Sequence, residues 1–268
     1  MTVRNFAGQL TGALAMAVED GHVLRVPKIV APKSDSKHVM RSELLTADQV
    51  WQLAEDAREG RKRIKGVRAA RRGDDRYARM ILIAAGTGLR SGELCGLRIS
   101  SVDFLRREVH VLEQADGGSD FGWARLKTSA SRRVVPVGQT VIDLLAEELT
   151  TNPCGDRSLP IFRTARGQMW SPTTVANRFS ALRRDCDLPE GRSFHDLRHF
   201  YASTLIFAGA SVPMVAQYLG HASAAVTLDV YAHLWPGDDD RARDAVDSVL
   251  MRDQCGTGLH AGPVLTSE

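Results

Sequence analysis

The stretch SFHDLRHFYASTLIFAGASVPMVAQYLGHASAAVTLDVYAHL runs from Ser193 to Leu234. It sets His195 and Arg198 one helical turn apart, then His221 just after a glycine, then Tyr231. Packing alone does not ask for that order. A guanidinium grips an anion with a planar fork of donors, an imidazole carries protons near neutral pH, and a phenol becomes a nucleophile once its proton has somewhere to go. The question is what chemistry would need all four.

The elements around them follow from spacing. Ser193 followed by Asp196 resembles a capping box that opens a helix. On that helix Leu197, Phe200, Tyr201, Thr204 and Ala208 form the expected core stripe, with His195 and Arg198 on a flank away from it. VPMVAQYL reads as a short helix stopped by Gly220, with His221 immediately outside. A further helix is expected from Ser223, with Thr227 one turn before a mid-helix Tyr231. Taken singly, His195 and Arg198 also fit a solvated edge, and Tyr231 fits a half-buried aromatic.

Upstream, FAGQLTGALAMAVEDG carries Phe6, Leu10, Leu14 and Val18 at helical spacing, which predicts an amphipathic helix ending near Gly21. Two prolines and a serine-lysine cluster then mark a linker. Thr46 is placed to cap a helix bearing Val50, Leu53 and Ala54 on one stripe. A buried helix, a glycine break at Gly86 and Gly88, and a second helix over Ser91–Leu97 follow. REVHVLEQ and RRVVPV alternate or run β-branched and predict antiparallel strands. TVIDLLAEELT returns to a helical period, and SPTTVANRFSALRRDCDL has Ser171 capping with Pro172 at the first position. The fold class expected is mainly α with a small antiparallel β-sheet.

Composition fits a protein with a proper core: 268 residues, 43% hydrophobic and 25% charged. Four scattered cysteines, without a C-x-x-C pair, argue for reduced thiols in the cytoplasm and against a zinc site. No apolar run approaches the ~18 residues of a membrane span. The net charge is only +3, but Arg58 to Arg76 holds nine basic residues. That run fits either a solvated face or a patch that follows phosphates.

The order H-x-x-R, then L-G-H, then T-x-x-x-Y-A-H resembles the C-terminal motif of the tyrosine recombinases, the phage integrase family. GTGLRSGELCGL resembles that family's upstream arginine context at Arg90, with Glu93 one turn on. RLKTSASRRVVPV supplies Lys127 where the family has a lysine on a β-turn. The resemblance covers about Leu45 to Asp247.

It implies site-specific cutting and rejoining of DNA through a 3′-phosphotyrosine. Tyr231 is then the nucleophile, and Arg90 and Arg198 hold the nonbridging oxygens with His221 as a further donor. His195 is the base or proton shuttle, Lys127 the general acid, and Glu93 a support. His199 and His233 are expected to be structural or solvent-facing. Candidate DNA contacts are Arg61, Lys62, Arg63, Lys65, Arg132 and Arg133. No cofactor and no metal are implied.

The implied partner is double-stranded DNA at attachment sites. The resemblance further implies a tetramer on DNA that exchanges its C-terminal helix, a monomer in solution, and accessory DNA-bending or directionality proteins. The domains expected are a remnant of a DNA-clamp helix over 1–21, a linker over 22–44, the catalytic domain over 45–252 and a disordered tail over 253–268. Most of the clamp domain, about a hundred residues, is expected to be missing. Two other readings stand beside it: relaxation of DNA in the manner of a type IB topoisomerase, and a shortened, recombination-inactive remnant that is at most a DNA-binding module.

Overall fold

The structure is a computed structural model describing residues 3–29, 39–61, 71–116, 122–126, 128–164, 166–186, 188–235, 243–244 and 246–248. The chain divides into two units, Met1–Leu234 and Trp235–Glu268. In the second, residues 243–244 and 246–248 are helical. Most of the segment expected to be exchanged between subunits, and the expected tail, lie outside the described residues.

The first unit begins with helix α1 (Val3–Glu19). Helix α2 (Ala47–Glu59) starts where Thr46 accepts a hydrogen bond from the Gln49 amide, and Gln49 reciprocates as a capping box. Its buried stripe of Val50, Leu53, Ala54 and Ala57 packs on α3 (Asp75–Thr87). Burying one such leucine stabilises the fold by about 1.5–3 kcal/mol. Helix α3 is the central element, also in contact with α5 (Gln139–Thr151) and α7 (Asp196–Phe207). That position explains why nearly every α3 side chain is buried.

Two arginines on α3 share one buried acid of α5, and Arg79 also pairs with Glu147 beside it. Arg79 donates to Glu148 at 2.6 and 2.9 Å, and Arg76 donates to it at 2.9 Å. Glu148 is fully buried, so this ion triad pins two helices whose faces are otherwise apolar.

Gly86 was expected to break α3 but lies within it; the helix ends at Gly88, in the left-handed region at φ 64°. The next helix, α4 (Ser91–Cys95), is shorter than expected.

The antiparallel sheet has order β3 (Val102–Asp103), β4 (Glu108–Val111), β7 (Arg133–Pro136). Its register places Val109 opposite Val135 and Val111 opposite Arg133. Two short ladders stand apart from it: β1 (Gly60–Arg61) with β2 (Arg71–Arg72), and β5 (Glu113–Ala115) with β6 (Trp123–Arg125).

Helix α6 (Pro172–Asp185) is capped by Ser171 as the sequence indicates. Helix α8 (Val212–Leu219) ends at Gly220, again left-handed at φ 65°. Helix α9 (Ala224–Tyr231) ends at Tyr231 and passes into a 3-10 turn over Ala232–Leu234. Tyr231 therefore closes its helix rather than standing mid-helix.

The buried face of α7 also differs from expectation. Thr204 and Ala208 are exposed, while Leu197, Arg198, Tyr201, Ala202, Ser203 and Ile206 are buried. The winning contact is electrostatic: the carbonyls of Gly88, after α3, and of Leu219, at the end of α8, draw Arg198 inward.

Candidate active site

Arg198 is 2% exposed. Its Nη1 donates to the Gly88 carbonyl at 2.8 Å, and its Nη2 donates to the Leu219 carbonyl. Gly88 stands two residues before Arg90, and Leu219 two residues before His221. One guanidinium thus fastens the loop after α3 to the end of α8 and brings three sequence-distant groups together. Both acceptors are neutral, so the positive charge stays uncompensated by them. Burial, then the Arg90 charge, pushes the Arg198 pKa down, yet a guanidinium remains cationic at neutral pH.

Glu93 organises the other arginine. It accepts from the Arg90 amide at 2.9 Å and from Arg90 Nη1 at 2.8 Å. From the opposite side Arg133 donates to both of its oxygens, at 3.2 and 2.8 Å. Burial works to raise the Glu93 carboxyl, but the hydrogen bond and charge of Arg133, then Arg90, hold it below its ordinary value of 4.5. The Arg90 side chain remains 36% exposed, so Glu93 orients it from behind while its other donors stay open.

His221 Nδ1 lies 2.8 Å from Thr227 Oγ1, a buried hydroxyl on α9. That bond leaves Nε2 for a ligand. Burial, followed by the charges of Arg198 and Arg90, pushes His221 down to about 3. Burial and then His199, Arg198 and Arg90 push His195 down to about 4. The His195 side chain still has a wide solvent-facing edge, and solvent tempers that shift. Both imidazoles are therefore neutral at pH 7, crowded by the neighbouring guanidiniums.

Tyr231 is 2% exposed, and burial pushes its phenol up to about 12. Its hydroxyl lies 2.6 Å from His199 Nδ1. The turn that follows is held by residue 39: the Val39 amide donates to the Val230 carbonyl at 3.3 Å, and His233 Nε2 donates to the Val39 carbonyl at 2.7 Å.

Residues 43–236 match the family described as the phage integrase family. That span is most of the chain. The chain belongs to the phage integrase family.

Among curated relatives, the tyrosine recombinase XerC-like protein of Caldanaerobacter subterraneus is 25% identical over 88% of this chain and 63% of its own length. The tyrosine recombinase XerD of Mycobacterium leprae is 28% identical over 87% of this chain and 72% of its own. The chain thus spans about two thirds of the length of these relatives. The Tn1549 transposon integrase, solved in complex with a circular intermediate DNA, shares the fold at a TM-score of 0.66 and 21% identity, over 91% of this chain and 78% of that one. XerA recombinase does so at 0.54 and 22%, over 90% and 75%.

For this integrase-family chain the structure brings Arg90, Glu93, Arg198 and His221 into one cluster with Tyr231 on the neighbouring helix. Lys127 lies outside the described residues, just beyond β6. Lys62, Arg63 and Lys65 lie outside them too, as does the Arg61 side chain.

Arg133 corrects the sequence reading. Expected to contact DNA, it is 7% exposed, and its fork is filled by Glu93, the Ser131 carbonyl and the Tyr218 carbonyl. The strand period gives the reason: Arg133 shares its face with Val135, and that face points inward. Arg132, one residue earlier, is exposed.

His199 is the residue that sequence reasoning undervalued. It was expected to be structural or solvent-facing; it is half-buried and bonded to the phenol. Its place beside Arg198, one turn after His195, was the available signal.

Proposed function

We propose that the chain cuts and rejoins DNA strands at specific sites, with Tyr231 attacking a backbone phosphorus to give a 3′-phosphotyrosine. The observation that carries this reading is the double anchoring of Arg198. It ties the backbone two residues before Arg90 and the backbone two residues before His221 to one guanidinium.

A phosphodiester resists attack because it is anionic and its leaving alkoxide is poor. Arg90 and Arg198 neutralise the pentacoordinate transition state, and His221 adds a donor through Nε2. Losing one such group costs roughly 3–4 kcal/mol, or 10²–10³ in rate. His195 moves protons at the site, and Lys127 protonates the departing 5′ oxygen. Because one ester replaces another, the bond energy is kept and no nucleotide is consumed.

Double-stranded DNA is the partner. The DNA-bound integrase among the fold relatives supports this, as does a lambda integrase dimer bound to a core site, with a TM-score of 0.55. Recombination joins paired sites in a closed symmetric assembly, so the working form is a tetramer on DNA and a monomer off it. Exchange of the segment after Pro236 links its subunits, with accessory DNA-bending or directionality proteins as further partners.

The test is a suicide substrate: a pool of nicked duplexes randomised along the bound arm, mixed with the full chain at low salt. An adduct that survives detergent should form with the wild type and vanish in Tyr231→Phe. No adduct from the wild type overturns the reading; an adduct that persists in Tyr231→Phe overturns the choice of nucleophile.

A further inference from the structure

We propose that His199 is the catalytic residue that takes the phenolic proton of Tyr231, with His195 one step behind it. This inference rests on the reading of Tyr231 as nucleophile.

The geometry carries it. Among the described residues the Tyr231 hydroxyl has one hydrogen-bond partner, His199 Nδ1 at 2.6 Å. A phenol this deeply buried must direct its O–H at an acceptor, since an unsatisfied buried donor is costly. That fixes the tautomer: Nδ1 offers its lone pair and the ring's own hydrogen sits on Nε2. His195 forms no hydrogen bond with Tyr231 among the described residues. Its ring instead meets the His199 ring edge-on, centroids 5.0 Å apart and planes at 87°. The His199 and Tyr231 rings are themselves 5.6 Å apart. The three rings form a row that ends at the phenol, and His199 is the member that touches it.

The charges around His199 suit a neutral acceptor. Burial pushes its pKa down, opposed by Asp196 and helped by Arg198 and Arg192, with Glu43 opposing from the segment before α2. Among the described residues, His195 and Tyr231 also face it. The ring is unprotonated at pH 7 and ready to receive a proton.

The step balances as follows. Tyr231 Oη forms a bond to phosphorus while the bond from phosphorus to the 5′ oxygen breaks. The phenolic proton passes to His199 Nδ1, giving an imidazolium. The departing 5′ oxygen takes its proton from a separate acid, Lys127 in the reading above. On religation His199 returns its proton to the phenolate.

Two measurements on the full chain test this. In ¹⁵N spectra of the free protein at neutral pH, with His199 assigned through His199→Gln, Nδ1 should resonate as an unprotonated ring nitrogen. That bias should fade in Tyr231→Phe. A protonated Nδ1 in the wild type overturns the proposal, whether or not any variant folds well. The second measurement is the rate of detergent-stable adduct with the nicked duplex pool. His199→Gln should slow it by roughly 10²–10⁴-fold and remove the fall in rate that the wild type shows on acidification, with retention of uncleaved duplex unchanged. Adduct formation at wild-type rate and pH profile in His199→Gln overturns the assignment of the proton alone. No adduct from the wild type overturns instead the nucleophile reading beneath it.

Discussion

Glu93 and Arg133, forty residues apart in sequence, form a two-pronged ion pair from which water is excluded. Arg133 acts through this pair as scaffold, holding the carboxylate that orients Arg90. Arg133→Ala leaves a buried anion half-compensated and should cost about 3–5 kcal/mol. A lowered urea midpoint with an unchanged m-value is the expected result. Glu148→Ala removes the carboxylate that Arg76 and Arg79 share, leaving Arg79 its Glu147 partner, and should also lower the urea midpoint.

Arg132 should behave oppositely. It is exposed and among the described residues makes no such pair, so Arg132→Ala should leave the stability within about 0.5 kcal/mol of wild type. If it contacts a phosphate, the slope of log affinity against log salt for the nicked duplex pool should fall by about 0.9. An unchanged slope would remove Arg132 from the DNA interface.

Acid should weaken the free protein in two stages. The folded-state values of His221 and His195 are depressed to about 3 and about 4 from 6.5. Below 6.5 the unfolded chain therefore binds protons that the folded chain refuses, and stability falls as pH drops towards those values. The depressed Glu93 carboxyl adds stability that is present above its ordinary 4.5 and lost as pH falls below it. Chemical unfolding between pH 7 and pH 4 should show this decline, and His221→Asn should flatten its upper part. A flat profile in the wild type would contradict the crowded, neutral imidazoles described above.

Gly88 tests how closely the anchoring loop is fitted. A Cβ there would lie 2.4 Å from the Tyr201 ring, on backbone in the left-handed region. Gly88→Ala should destabilise by about 1–3 kcal/mol through overpacking and strain. Because the Gly88 carbonyl also holds Arg198, adduct formation should fall further than the loss of folded protein explains.

Local rules carried the sequence reading a long way. Thr46, Ser171 and Gly220 announce helix ends by their own chemistry, and they do so in the structure. Period alone misjudged Arg198, which helical spacing sets on a flank away from the core stripe; the carbonyls that draw it in belong to Gly88, after α3, and to Leu219, the last residue of α8. Arg133 was legible in principle, since Val135 and Val137 face inward and the period of two extends back to it. The bond between His199 and Tyr231 was not legible, because it depends on how α9 docks on α7. Nor was the Arg76–Arg79–Glu148 triad, which joins helices about seventy residues apart.

Val39 uses both of its backbone polar groups on the turn that carries Tyr231, one towards Val230 and one towards His233. An outward movement of that whole turn would strip these two bonds, at about 0.5–1.5 kcal/mol each. Residue 39 is in this way stitched to Val230 and His233 on either side of Tyr231, so the backbone just before α2 shares the fate of the phenol's own turn.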